Sequence, residues 1–391
     1  MNLHEFQAKE ILGRYGVALP DGAVADTAID AEGAARRLPG KQFAVKAQVH
    51  AGGRGRAGGV QIVNSVSAVG KAAGELLGQT LVTEQTGPEG RSVRSVYVEE
   101  AVTSQRDVYV AVLVDRQVGK IALIGTETGG EDIEERMAAD PGIIKSIFLE
   151  PDGSTTKEAF EGFARQLEFT GALAKKAATL FAGLGKAFVE QDASLIEINP
   201  LTVTSENDLL ALDVKMVLDD NAIFRHPELR GLDDKDDLDP VEMEAQANEI
   251  NFVRMDGNIG VVVNGAGLAL ATHDMLTDAG GEPANFMDIR TTASSLDIAG
   301  GFDLLLANGN VKVVLVNVHG GGMQRCDTIA EGIGIAMKRS GKSVPLVVRF
   351  AGNNADYGRT LLANYGIPFS EADSMAAAVH EATALASGSA R

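Results

Sequence analysis

One cysteine, Cys326, stands alone among 391 residues. A lone thiol leaves no internal disulfide and no thiolate metal cluster to be made. Long hydrophobic runs are also missing: none approaches the ~20 apolar residues that cross a bilayer, and no membrane association is expected. Basic residues are in deficit, 35 Lys and Arg against 54 Asp and Glu, for a formal net charge of −19. That balance argues against non-specific nucleic-acid binding and for solubility, and says nothing about substrate. The opening MNLHEFQAKEIL has neither an apolar signal core nor an Arg-rich, acid-poor transit pattern. It reads as a first helix with Ala8, Ile11, Leu12 and Tyr15 on one stripe, and the expected location is the cytoplasm.

Glycine, by contrast, is abundant at 45 residues, above the usual ~7 % and without a collagen-like period, which fits many tight turns and close backbone approaches to a ligand. The chain exceeds a single domain of roughly 100–200 residues, which suggests two or three, and one boundary near 240 divides it into 1–240 and 241–391. The boundary falls in GLDDKDDLDPVEMEAQANEI, residues 231–250. Its five Asp residues between Asp233 and Asp239, followed by Pro240, read as a solvated linker before a short helix.

In the first region FAVKAQVHAGGRGRAGGVQIV forms a strand near Lys46, a loop with glycines at 52, 53, 55, 58 and 59, and a strand from Val60. Glycines let backbone N–H groups face phosphate oxygens, and Lys46, Arg54 and Arg56 add positive charge. No Gly-Lys-Ser/Thr opens a helix, so this is no Walker A loop; the alternative is a flexible hairpin tip. The strand SVYVEE ends in Glu99 and Glu100, where one acid meets a ribose or adenine amino group or both lie at a solvated strand end. Further on, LIEINPLTVTSENDLLALDVK forms a hairpin about a turn at 205–208, projecting Glu197, Asn199 and Asp213. One Asp and one Asn on adjacent strands suit a Mg²⁺ completed by phosphate oxygens and water. An ordinary hairpin with a polar wet face is the alternative.

The second region alternates apolar runs at 259–263, 284–289, 311–318 and 344–350 with helices at 268–277, 327–339 and 355–365, the pattern of a small doubly wound α/β domain. Ligands in such sheets lie beyond the carboxyl ends of the strands, which picks out the loops NGAGLA, RTTASS, HGGGMQR and AGNN as sites for an anion or acyl phosphate.

Taken in order, MNLHEFQAKEIL, VKAQVHAGGRGRAGG, VYVEE, LIEINPL with LALDVK, DDNAIFRHPEL, NGAGLALATHDML, GGEPANFMDI and RCDTIAEGI resemble, over essentially the whole chain, the β subunit of succinyl-CoA synthetase (succinate–CoA ligase) and its relative malate–CoA ligase. The resemblance implies an α/β protein: an N-terminal ATP-grasp fold, then a flavodoxin-like doubly wound parallel-sheet CoA-ligase domain. It implies ATP/ADP and Mg²⁺ as cofactors, with CoA on a partner α subunit that also carries the phosphohistidine, in an αβ or (αβ)2 assembly. On matching positions Lys46, Gly53, Arg54 and Gly55 hold phosphates, while Glu99 and the backbone of Val102 face the adenine. Asp107 stands where the family usually has a ribose-binding Glu. Asn199 and Asp213 hold Mg²⁺, and Glu197 is the catalytic carboxylate that orients the partner's histidine. Asn264, Gly322, Met323 and Gln324 meet the carboxylic acid. None of the six histidines, His4, His50, His226, His273, His319 and His380, matches the phosphorylated residue.

Two acid-side loops depart from the family. Arg290, Thr291 and Thr292 replace a run of three glycines, and His319 with Gly320–Gly322 replaces a Phe-led turn one residue shorter. The expectation is that Arg290 grips an extra or different anionic group, a second carboxylate or a sulfonate; tolerated loop variation is the alternative. Two other classes stay open: an ATP-grasp ligase acting alone, and a regulatory nucleotide-binding subunit without acid activation.

Overall fold

The computed structural model describes residues 1–130, 132–233, 239–321 and 324–388. The chain divides into two compact units, Met1–Asp237 and Leu238–Arg391. The first begins with helix α1 (Glu5–Arg14), which buries Ala8, Ile11 and Leu12 and also two charged side chains, Glu5 and Lys9.

Strands β1 (Gly22–Ala25), β2 (Phe43–Ala47) and β3 (Val60–Val63), the short pair β4 (Thr80–Leu81) and β5 (Arg91–Ser92), and β6 (Val96–Glu100) follow. β1, β6, β2 and β3 form one antiparallel sheet in that order. Helices α2 (Ala28–Arg37) and α3 (Val66–Leu76) cover it, starting where the hydroxyls of Thr27 and Ser65 accept backbone N–H groups. Their alanines pack on Val45, Ala47, Val96 and Val98 as one small core.

A second sheet comprises β7 (Ser104–Asp115), β8 (Lys120–Thr126), β9 (Lys145–Leu149), β10 (Ala193–Thr204), β11 (Leu209–Ala211) and β12 (Val214–Leu218), ordered β11-β10-β7-β8-β9 with β12 also on β10. Helix α4 (Ile133–Ala139) packs its Ile133 with Tyr109 and Ala111 of β7, and α5 (Lys157–Gln166), α6 (Gly171–Glu190) and α1 bury the main core. Phe163 and Phe181 meet there edge to face at 5.2 Å, the arrangement that aromatic quadrupoles favour.

The hairpin has an interruption that places the site. β11 and β12 both pair with β10, but the chain breaks step at Leu212 and Asp213, opposite the cis Asn199–Pro200 bond. Pro200 has no N–H for the ladder. Asn199 N donates to Asp213 O (3.1 Å) and Leu212 N to Pro200 O (3.0 Å), which leaves the Leu212 carbonyl to other donors.

In the second unit the order is α7 (Pro240–Ala247), β13 (Asn251–Arg254), β14 (Ile259–Val263), α8 (Ala266–Asp278), β15 (Asn285–Asp288), α9 (Ser295–Ala307), β16 (Val313–Gly320), α10 (Cys326–Ser340), β17 (Leu346–Gly352), α11 (Ala355–Asn364), β18 (Ser370–Glu371) and α12 (Met375–Ala386). The sheet runs β13-β15-β14-β16-β17-β18. Its five parallel strands have the 2-1-3-4-5 order of flavodoxin-like folds, and β13 adds an antiparallel edge, so the sheet is not wholly parallel. Helices on both faces close two cores.

Helix α9 is absent from the sequence-based expectation, and it holds two poor helix formers, Gly300 and Gly301. Packing explains Gly301: a Cβ there would lie 2.3 Å from the Met287 side chain of β15. β16 and β17 each run two residues past the expected ends, so His319 and Gly320 belong to a strand. A Cβ on Gly320 would lie 2.8 Å from the Asn353 carbonyl. Of the acidic linker, residues 234–238 lie outside the described residues, while Asp239 caps α7 through a 2.7 Å bond from Val241 N.

Candidate functional site

A cavity of about 680 Å³ opens in the first unit, between the β2–β3 loop and the interrupted hairpin. Gly53, Arg54 and Gly55 line it from the loop, Glu197 and Asn199 from β10, Asp213 from the break between β11 and β12, and Glu5 from α1. Lys46, Glu99, Val102 and Asp107 are not among its lining residues.

Lys46 and Glu99 lie just behind, 6 % and 2 % exposed, in a closed ring of alternating charge. Lys9 Nζ reaches Glu5 Oε1 (2.9 Å) and Glu99 Oε2 (2.5 Å), and Lys46 Nζ reaches Glu5 Oε1 (3.0 Å) and Glu99 Oε1. Both ammonium groups also donate to the free Leu212 carbonyl, at 2.7 and 2.6 Å. All three N–H donors of each lysine are thereby used. Glu99 is therefore neither a solvated strand end nor a cavity-facing acid in this state.

The ring reaches the cavity through Arg54, whose guanidinium meets Ala47 O (2.8 Å), Glu5 Oε2 (2.7 Å) and Asp213 Oδ1 (2.7 Å). Burial alone would raise the Glu5 carboxyl, but Lys46, Lys9 and Arg54 hold it well below the usual carboxylate range. Burial works against the Lys46 charge as well, yet Glu5, Glu99 and Asp213 push its pKa above the usual lysine value. Breaking one such buried pair leaves an uncompensated charge, worth about 3–5 kcal/mol.

Glu197 behaves in the opposite way. Burial, with Glu134 and Asp213 as like charges nearby, pushes its carboxyl above the ordinary value despite Lys215, its cross-strand neighbour on β12, and a hydrogen bond with Tyr109. A carboxylate held in a cavity against its own desolvation is a common mark of a working group.

Asn199 clasps the backbone of Gly130, accepting from its N–H and donating to its C=O, both at 3.0 Å. Asp213 gives one oxygen to Arg54 and keeps its side chain 40 % exposed. Among the described residues no cluster of three or more His, Cys, Asp or Glu forms a metal cage. One fixed amide oxygen and one exposed carboxylate fit a hard cation whose remaining ligands are phosphate oxygens and water. Asp107 sits apart on β7, accepting from the Ser104 and Thr202 hydroxyls at 2.6 Å each, and Val102 lies in the loop between β6 and β7.

In the second unit Asn264 follows β14 and clasps the backbone of His319 on β16, donating to its C=O and accepting from its N–H, both at 2.8 Å. It ties two strand ends together rather than its own turn. The His319 side chain is exposed. Arg290, at the end of β15, pairs with Glu249 at 2.8 Å. Gln324 is 4 % exposed, and its amide nitrogen has no partner among the described residues. Gly322 and Met323 lie outside the described residues. Cys326 is a buried free thiol whose pKa burial raises, so it is no ready nucleophile.

Residues 2–203 match the ATP-grasp domain family and residues 262–383 the CoA-ligase family. The ADP-forming succinate–CoA ligase subunit beta of Burkholderia lata is 44 % identical over 388 residues, covering 99 % of this chain and 100 % of that one. Its counterpart from Acidovorax sp. (strain JS42) is 45 % identical over 378 residues, 97 % of this chain and 98 % of that one. Among solved structures, ATP citrate lyase from Methanothrix soehngenii in complex with citrate and coenzyme A matches with a TM-score of 0.73 over 97 % of this chain and 98 % of that one; at 18 % identity the likeness is one of fold. An ATP-grasp domain followed by a CoA-ligase domain defines the architecture of a subunit of an ADP-forming acid–thiol ligase, a class that works with ATP or ADP, Mg²⁺ and CoA. The chain belongs to the family of ADP-forming succinate–CoA ligase β subunits.

The sequence reading missed Glu5, Lys9 and the backbone of Leu212. Glu5 and Lys9 are four residues apart, a spacing that on any exposed helix face is an ordinary surface pair. Only their shared partners on β2, β6 and the broken hairpin distinguish them.

Proposed function

We propose that this chain is the nucleotide half of a two-subunit acid–CoA ligase. In this reading the cavity beside Gly53–Gly55 receives the nucleotide phosphates together with a histidine loop from an α-type partner. The observation that carries it is the convergence of Gly53, Arg54, Gly55, Glu197, Asn199 and Asp213 on one cavity. Asn199 and Asp213 would hold Mg²⁺, which neutralises phosphate charge, and ATP supplies the phosphoryl group. Arg54 supplies a charge-assisted donor facing the phosphates. Glu197, ionised, accepts the imidazole N–H of the partner's histidine and makes its other nitrogen more basic.

In the second unit, the carboxyl ends of β14, β15 and β16 present Asn264, Arg290, His319 and the start of α10 to the acid. Exposed Leu270, Leu296 and Tyr357 stand early in α8, α9 and α11, at the same strand-end edge, and give a partner an apolar surface to cover.

A second reading concerns the acid. His319, exposed and fixed in backbone position by Asn264, favours an acid bearing an anionic group other than that of succinate, a sulfonate or a further carboxylate. Arg290 would join it by giving up Glu249, a partly exposed pair worth about 0–1 kcal/mol. The test is CoA-dependent ADP release by the chain co-purified with its genomic α-type partner, over succinate, malate, other dicarboxylates and sulfonated acids. Turnover of any of these supports the ligase reading; preference for succinate removes the second reading. Nucleotide binding with no acid-dependent turnover sinks both.

A further inference from the structure

We propose that Glu5 is a positioning residue that keeps Arg54 in place at the cavity when Asp213 turns from the arginine to a cation. The inference rests on the reading above, in which Asp213 is a Mg²⁺ ligand. Glu5 comes from α1, yet it joins the ring to the cavity wall. Its Oε1 accepts from Lys46 (3.0 Å) and Lys9 (2.9 Å), and its Oε2 from Arg54 (2.7 Å) and Gln48 (3.4 Å).

Arg54 offers the same nitrogen, Nη2, to Glu5 and to Asp213. Two carboxylates thus share one donor, and they differ in freedom: Glu5 is 5 % exposed and held from four sides, whereas the Asp213 side chain is 40 % exposed. Asp213 is the partner able to leave. Charge gives its departure a direction. Lys9, Lys46 and Arg54 balance Glu5, Glu99 and Asp213, three against three. Once Asp213 commits to a cation, the cluster keeps one surplus positive charge on its cavity side, the charge that attracts phosphate oxygens. Without the Glu5 charge, Asp213 becomes the sole carboxylate on Arg54. The pair then closes over the position that the cation needs, so the loss falls on nucleotide binding.

The test is Glu5→Gln in the complex with the partner subunit, with KM measured separately for ATP·Mg²⁺, the acid and CoA. The expected result is a roughly 10–100-fold rise in the ATP·Mg²⁺ KM, the usual effect of losing a supporting group behind a ligand. The acid and CoA KM values stay within about twofold, and Glu5→Asp recovers part of the loss. A merely structural Glu5 would lower Tm without this split. An unchanged ATP·Mg²⁺ KM in folded Glu5→Gln overturns the proposal.

Should Glu5→Gln not fold, Gln48→Met decides. It removes the neutral amide behind Oε2, and with it that side chain's bonds to Phe6 N and Lys46 O; a severalfold rise in the ATP·Mg²⁺ KM alone is expected, and no rise overturns the proposal. Asp213→Asn in parallel separates two failures. A wild-type ATP·Mg²⁺ KM there refutes the cation reading, and this proposal with it. A raised one beside an unaffected Glu5→Gln refutes Glu5 alone.

Discussion

Replacing Glu197 by Gln tests whether the cavity carboxylate that burial pushes above its ordinary pKa is catalytic. The isostere keeps side-chain volume and an oxygen for Tyr109, and removes only the charge. At β10 that charge sits between Ala111 of β7 and Lys215 of β12, and burial raises its pKa. A carboxyl raised in the folded state contributes stability that is full below its unfolded pKa and is lost as pH rises through the folded value. At neutral pH the ionised Glu197 therefore disfavours the fold, and Glu197→Gln should keep or raise Tm. Its activity should fall on the order of 10²–10⁴-fold, the scale of a lost acid–base or orienting group; that is about 3–5 kcal/mol of barrier at 1.36 kcal/mol per tenfold. The assay is CoA-dependent ADP release by the two-subunit complex across pH 5–8. Wild type should show an acidic limb above the ordinary Glu range, about 4.3, and Glu197→Gln should lose that limb. Turnover within about threefold of wild type, or an acidic limb that persists in the variant, would refute the argument.

Phe181→Ala, in the aromatic core of the first unit, should cost about 3–5 kcal/mol, read as a lower denaturation midpoint at an unchanged acid KM. Asn264→Ala removes both bonds to the His319 backbone and leaves two backbone groups to find other partners, a loss of about 1–3 kcal/mol. Its signature is a raised acid KM with the ATP·Mg²⁺ KM unmoved; equal changes in both would contradict the assignment. The ion ring has its own pH window. Glu5, depressed, supports the fold above its unfolded pKa and loses that support as pH falls through its folded value. Lys46, elevated, loses its support only as pH rises through a folded value above the usual lysine range. Denaturation midpoints should therefore show a contribution from the ring that is flat through neutrality, and Glu5→Gln should remove a share of the acid-side dependence below about pH 4.

Much of this molecule is legible in its sequence because the signals are local. The buried runs IGVVV and VVLVNV, the glycine loop after Lys46 and the polar turn after Thr204 each carry their element in a few adjacent residues. Helix α9 was not legible because its glycines answer to distant residues, Gly301 to Met287 of β15 and both to Ile250. Asn199 and Asn264 read in sequence as ligands. In the fold each carboxamide stands in for a peptide group, clasping the N–H and C=O of Gly130 and His319. Asn285 does the same to Val261. Such clasps depend on which strand ends lie side by side, which spacing along the chain does not encode. Arg290 gives the same lesson: its charge is visible in RTTASS, but its partner Glu249 lies 41 residues upstream.

The central claim is that this chain handles the nucleotide while a histidine of another subunit takes the phosphoryl group. It is tested most directly by mixing the chain and its α-type partner with Mg²⁺ and γ-³²P-labelled ATP, without acid or CoA, and separating the subunits. The account predicts acid-labile label on the partner alone, dependent on the presence of this chain and formed on the order of 10²–10⁴-fold more slowly with Glu197→Gln. Label on this chain, at His319 or any other of its histidines, would contradict it.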